Sequence, residues 1–213
     1  MGLHADVKII LGSSSQTRQA IMKEMGLEFE IMSADIDEGA IRRDKAENLV
    51  MALAKAKAEA IFARIATETS EVASAKQSLL ITADQVVVHE GKILEKPRTE
   101  EEARRFIEGY SRSPAKTVGA VLVTNLSTGV SKGGVDTAEI YFHSIPEDVI
   151  NALIAEGTVF WAAGGLLVEH PLVSPLVNAM VGTVDSVMGL PKELTLSLIN
   201  QALDNGSQSQ ARS

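Results

Sequence analysis

Val7-Lys8-Ile9-Ile10-Leu11-Gly12-Ser13-Ser14-Ser15-Gln16-Thr17-Arg18 is the stretch from which the fold can be read. Its first five residues, mostly apolar, predict a buried strand, and the polar residues after Gly12 are turn and capping types. Ile21, Met22 and Met25 then recur at helical spacing up to Gly26, the residue type best suited to the left-handed conformation past a helix end. The unit is strand, loop, helix. A loop in that place turns unpaired backbone N–H groups outward at the positive end of a helix dipole. Three hydroxyls and the Arg18 guanidinium beside them make either a phosphate cradle or a plain set of helix caps. The Gly-Lys pair of a Walker loop is missing.

Working outward, a second strand is expected at 29–33, followed by the acidic turn Asp35-Ile36-Asp37-Glu38. Ala46, Leu49, Val50, Leu53, Ala56 and Ala60 fall on one stripe of a helix several turns long. The polar stretch 68–77 reads as a connection. Residues 79–83 read as a central strand that ends on Asp84. The segments 86–88 and 92–94 flank Glu90-Gly91 as a hairpin, and Thr99 with Glu102 forms a capping box for a helix that stops at Gly109. Strands are expected at 117–124 and 138–142, with turn residues at 125–129 and Gly133-Gly134 between them. A helix opens at 144–147 and ends at Gly157, a last strand covers 158–161, and Leu194, Leu198, Ile199 and Ala202 mark a final helix. Interleaved without strict alternation, these elements predict an α/β fold: a mixed sheet with helices packed on it.

The chain has 213 residues, 45% apolar and 23% charged, a composition that suits one globular domain. That domain is expected over 7–203, with a loose start at 1–6 and a loose polar tail at 204–213. With no cysteine, disulfides, thiolate metal sites and cysteine nucleophiles are excluded. Twenty basic residues against 28 acidic ones give a formal charge of -8, the wrong sign for binding nucleic acid over a broad face. No apolar run reaches the length of a membrane span and the first residues do not resemble a signal peptide, so a soluble cytoplasmic protein without a membrane partner is expected.

Besides the serine loop, Asp84 interrupts an apolar strand, at the kind of place where α/β proteins put metal ligands and bases. Lys57, near Lys55 on the long helix, and Lys96 in Leu94-Glu95-Lys96-Pro97 are cations whose importance rests on whether they converge with Asp84. Asp35, Asp37 and Glu38 offer oxygen ligands of the kind Mg²⁺ prefers, or a solvated turn. Glu169 and His170 follow Gly164-Gly165-Leu166-Leu167-Val168. The four histidines lack metal-ligand spacing, and no serine lies in a G-x-S-x-G elbow.

Six segments in order, 11–18, 53–58, Ala83-Asp84-Gln85-Val86-Val87, Leu94-Glu95-Lys96-Pro97, Ala163-Gly164-Gly165 and Val187-Met188-Gly189-Leu190-Pro191, resemble the successive motifs of the Maf family of nucleoside triphosphate pyrophosphatases. The resemblance implies an elongated mixed β-sheet with flanking helices and a central cleft between two lobes, as in inosine triphosphate pyrophosphatases. It also implies a homodimer, and hydrolysis of the α–β phosphoanhydride bond to monophosphate and pyrophosphate with Mg²⁺ or another divalent metal cation. By the same resemblance Ser13 and Arg18 match the phosphate-binding loop, Lys57 and Lys96 the catalytic lysines, Asp84 the catalytic aspartate, as base or metal ligand, and Glu38 an acidic metal position. Gln85 and Glu169 match the branch that prefers 7-methyl-GTP, and a carboxylate at 169 can accept from the N1–H and N2–H₂ donors of guanine. The alternatives are a dTTP/UTP-preferring enzyme, a hydrolase of deaminated purine triphosphates, and a nucleotide-binding regulator of cell division with little turnover. Thr17 and Gln19 flank a single arginine where the family often has two, and Leu166 replaces a common aromatic residue.

Overall fold

The computed structural model describes residues 7–67 and 77–209, with side chains as far as Asp204. The elements in chain order are β1 (Val7–Leu11), α1 (Gln16–Glu24), β2 (Glu30–Ile31), α2 (Ala46–Thr67), β3 (Gln77–His89), β4 (Lys92–Leu94), α3 (Glu100–Tyr110), β5 (Ala115–Asn125), β6 (Ser131–Phe142), α4 (Glu147–Glu156), β7 (Val177–Val181), α5 (Val184–Val187) and α6 (Lys192–Ser209). Six strands follow the order β2-β1-β3-β5-β6-β7 in one sheet, and β4 pairs with β3 as the seventh. β1 is parallel to β2 and β3, whereas β4 on β3 and β7 on β6 are antiparallel. The expected mixed α/β architecture is present.

Within the expected span the chain forms two compact units. One takes in the chain up to Asp84, Ala120–Asp136 and the part from Gly189 on; the other consists of Gln85–Gly119 and Thr137–Met188. In the first unit, β1 and the start of β3 bury Ile9, Ile10, Leu11, Leu79, Leu80 and Ile81, and α2 buries Leu49, Val50, Leu53, Ala54, Ala58, Ile61 and Ile65. Gly12 lets these layers close. A β-carbon there would lie 2.5 Å from Thr82 Cγ2 and 2.8 Å from Ile61 Cδ1. In the second unit Val87, Leu94, Phe106, Ile107, Tyr110, Leu153 and Val159 belong to one buried cluster. The hairpin between β3 and β4 turns through Glu90 and Gly91, both at positive φ (49° and 74°), as a two-residue turn requires.

Several expectations are corrected. The strand that carries Asp84 does not stop there: β3 continues to His89, and its last residues Val87, Val88 and His89 pair with Leu94, Ile93 and Lys92 of β4. Gly133 and Gly134 belong to β6 rather than to a turn. Side chains from neighbouring layers press on them: a β-carbon on Gly134 would meet Leu194 Cδ1 at 2.6 Å, and one on Gly133 would meet Leu122 Cδ1 at 3.0 Å. Residues Thr158–Trp161 form a 3₁₀ turn, not a strand, with Phe160 N–H donating to Gly157 O. The edge strand β7 is an element that the sequence pattern does not predict. α3 includes Gly109, whose bare α-carbon admits the His89 ring, and runs to Tyr110. The final helix reaches Ser209, past the point at Asp204 where its apolar residues run out. The start at 1–6, the connection over 68–76 and the end at 210–213 lie outside the described residues.

Candidate active site

In the first unit the site is built from a register between a helix and a strand. Side chains on one face of a strand recur every two residues, and those on one face of a helix every three or four. On β3, Thr82 and Asp84 share a face, and on α2, Ala54 and Lys57 share one. Thr82 Oγ1 donates to Ala54 O at 2.8 Å and Lys57 Nζ donates to Asp84 Oδ1 at 2.5 Å. Lys57 therefore lies on the buried stripe of α2, three residues after Ala54 and four before Ile61. Asp84 lies in mid-strand but beyond the end of β1, whose last pairs are Leu11 with Ile81 and the bond from Gly12 N–H to Ile81 O.

Where β1 has ended, Arg18 takes over. Its Nη1 donates to Ala83 O at 3.1 Å and to Ser13 Oγ at 3.3 Å, and its Nε donates to Gly189 O at 2.9 Å. Arg18 is presented by the first turn of α1, capped by Ser15 Oγ, which accepts from Arg18 N–H, and the Ser13 hydroxyl also accepts from Ser15 N–H. The serine loop is thus both cap and scaffold. Its arginine is tied to the carbonyl preceding Asp84 and to the Met188-Gly189-Leu190-Pro191 segment.

Lys57 Nζ also meets Glu38 Oε1 at 2.8 Å, so one ammonium serves two carboxylates. Lys57 and Asp84 are largely buried, their side chains 12% and 11% exposed, while Glu38 stands half in solvent. Burial pushes the Asp84 carboxyl above its ordinary pKa, against the opposing pull of Lys57 and Arg18, and Glu38 adds to the rise. Burial also draws the Arg18 guanidinium below its usual value, with Asp84 and Glu38 opposing. Two carboxylates converging on one cation are hard oxygen donors. Among the described residues there is no group of three His, Cys, Asp or Glu placed to hold a metal ion. Asp84 and Glu38 are the oxygen donors here that could hold a hard divalent cation.

The remaining candidates belong to the second unit. Gln85 is half-buried and its Nε2 donates to Ser186 O at 2.9 Å, in the short helix α5 capped by Thr183. Lys96 is exposed in the loop after β4, and Glu169 is exposed in a turn after the paired glycines. Beside it, His170 is held by Glu156 at 2.9 Å. Asp35 and Asp37 are exposed. Sequence reasoning did not single out the carbonyls of Ala83 and Gly189, because a backbone acceptor leaves no mark in residue identity. It also passed over the signal that Lys57 is a charged residue on an apolar stripe.

A family model described as Maf-like protein matches residues 8–202. A 7-methyl-GTP pyrophosphatase from Dictyostelium discoideum is 41% identical over 193 residues, covering 91% of this chain and 96% of that one. A dTTP/UTP pyrophosphatase from Geotalea uraniireducens is 31% identical over 190 residues, 89% and 92% of the two chains. A solved nucleoside-triphosphatase / dITP/XTP pyrophosphatase from Mycobacterium abscessus aligns over 94% of this chain and 98% of its own, at a TM-score of 0.40 and 10% identity, too loosely to bear weight. By the match across nearly its whole length, the chain belongs to the Maf-like protein family.

Proposed function

We propose that the protein hydrolyses nucleoside triphosphates between the α and β phosphates, giving nucleoside monophosphate and pyrophosphate. The observation that carries this reading is Lys57 Nζ at 2.5 Å from Asp84 and 2.8 Å from Glu38, a cation and a basic carboxylate held together beside the Arg18 loop. The names of relatives 41% and 31% identical support it. Water attacks the α phosphorus, its oxygen forms the new P–O bond, the bond to the bridging oxygen breaks, and pyrophosphate leaves. Asp84, made more basic by burial, accepts the proton of that water, or would hold a divalent cation, which supplies Lewis acidity when bound. Lys57 neutralises phosphate charge, and Lys96 is assigned the same work. Ser13 and the N–H groups of its loop take phosphate oxygens, with Arg18 fixing the loop. A divalent cation at Asp84 and Glu38 would neutralise the charge of the polyphosphate.

For the base, 7-methyl-GTP or a related guanine nucleotide is our first reading. It rests on the higher identity to the relative of that name and on Gln85 and Glu169, taken as the residues that meet the base. The second is dTTP and UTP, the substrates in the name of the more distant relative. Pyrophosphate release from 7-methyl-GTP, UTP, dTTP, ITP and XTP separates these readings. Turnover highest with 7-methyl-GTP is expected, a preference for UTP or dTTP overturns the first reading of the base, and no release from any of them favours a binding regulator. A cytoplasmic homodimer is proposed from the family resemblance. Light scattering at micromolar concentration tests the dimer, and a monomer mass would refute it. Among the described residues no helix is long and apolar enough to cross a membrane.

A further inference from the structure

In the second unit both polar groups of the Gly164 peptide positions are taken. Its N–H donates to Glu95 O at 2.9 Å, and its carbonyl accepts from the Tyr110 hydroxyl at 2.6 Å. Glu95 immediately precedes Lys96, and Gly164 opens the turn that leads through Gly165 to Glu169. One residue therefore ties together the two loops that carry these exposed side chains. The approach requires glycine. Gly164 has φ 62°, and a β-carbon would lie 2.5 Å from the Tyr110 hydroxyl and 2.8 Å from Val87 Cβ.

Tyr110 is held for this task. Its ring stacks on Phe142 at 6.0 Å between centroids and meets the His89 ring edge-on at 5.2 Å. The residue is 2% exposed in the core of the second unit. Burial pushes the phenol pKa well above its ordinary value, so the group is an O–H donor at any working pH. A fixed donor on a rigid helix facing a carbonyl in an irregular loop holds that loop by one bond, and no other donor to that carbonyl is seen among the described residues.

We infer that Tyr110 is a positioning residue for base selection: its hydroxyl, through Gly164, sets the turn that presents Glu169 and, through Glu95, the loop that presents Lys96. The inference rests on the reading that these two side chains meet the nucleotide. Tyr110→Phe removes the bond and keeps the ring packing. Two readouts apply to the full chain. In hydrogen exchange, amides of 163–169 and 95–97 should exchange about fivefold faster in the variant, the consequence of losing one net hydrogen bond, while α2 and β1 stay unchanged. In kinetics, KM for the preferred nucleotide should rise, and the ratio of kcat/KM between 7-methyl-GTP and UTP should fall about fivefold, with kcat for the preferred nucleotide within twofold.

Glu169→Gln, measured alongside, keeps the causes of failure apart. Were Glu169→Gln to shift the substrate ratio while Tyr110→Phe left it unchanged, the inference would be overturned and the reading of the base site would stand. Were Glu169→Gln itself without effect on the ratio, the reading would fall and the inference with it. Unchanged exchange at 163–169 would overturn the inference whatever the kinetics show, as would faster exchange spread evenly over both units, the mark of general destabilisation.

Discussion

The neighbourhoods of Lys57 and Gly164 hold their candidate site residues by opposite means. Around Lys57 the charged side chains hold one another: an ammonium meets two carboxylates, two of the three groups are largely buried, and a guanidinium braces the adjacent backbone. Around Gly164 the bonds are neutral and run from a phenol to backbone and from backbone to backbone, and Lys96 and Glu169 are left in solvent. Charge that is desolvated and paired is costly to disturb, whereas an exposed charge on a fixed loop is cheap to change. The contrast fits the proposed division of reaction chemistry in the first neighbourhood and selectivity in the second.

Removing Lys57 should have the largest effect. Lys57→Met leaves the buried Asp84 without its closest cation, so activity should be lost, and stability at neutral pH should fall by about 3 kcal/mol in chemical denaturation. A variant as stable as the wild type would show that the pair is not coupled. Next in size is Gly12→Ala, which forces a β-carbon onto Thr82 and Ile61 and should cost about 2 kcal/mol, against little for a change at exposed Glu169.

Smaller, and with a definite sign, is the effect of pH on the metal-free protein. The native pKa of Asp84 is raised, so its contribution to stability is fully present below the unfolded value of 3.8 and is lost as pH rises through the native value. The stability of the wild type relative to Asp84→Asn should therefore decline as pH is raised from about 4. A gap that stays constant, or widens, contradicts the burial argument. Smallest is Lys96→Met: stability should change by less than about 0.5 kcal/mol while KM rises, and a large loss of stability would mean that Lys96 is held as Lys57 is.

Much of this was legible beforehand, and what was not has physical causes. The strand, loop and helix at 7–24, the Glu90-Gly91 hairpin, the Thr99 cap and the Gly157 stop are local features, and local chemistry marks them. Asp84 and Lys57 were singled out by residue type, but their meeting depends on a helix–strand register that neither segment encodes alone. A carboxylate within an apolar run reads as a strand end, while what ends beside Asp84 is the neighbouring strand β1. Thr158–Trp161 has the β-branched and aromatic composition of a strand, yet it directly follows the Gly157 stop and closes i to i+3 bonds instead. β7 is a mostly exposed edge without alternation, so periodicity could not reveal it.

The proposed role of Asp84, held by Lys57, in driving the hydrolysis is tested by pyrophosphate release from purified wild type and Asp84→Asn over a range of Mg²⁺ concentrations. We expect the wild type to release pyrophosphate and the variant to be slower by at least about a hundredfold at saturating substrate, with its fold intact by circular dichroism. A steeper Mg²⁺ requirement in the variant would mark Asp84 as metal ligand, and an unchanged one as base. Wild-type turnover by Asp84→Asn at every Mg²⁺ concentration would contradict that role.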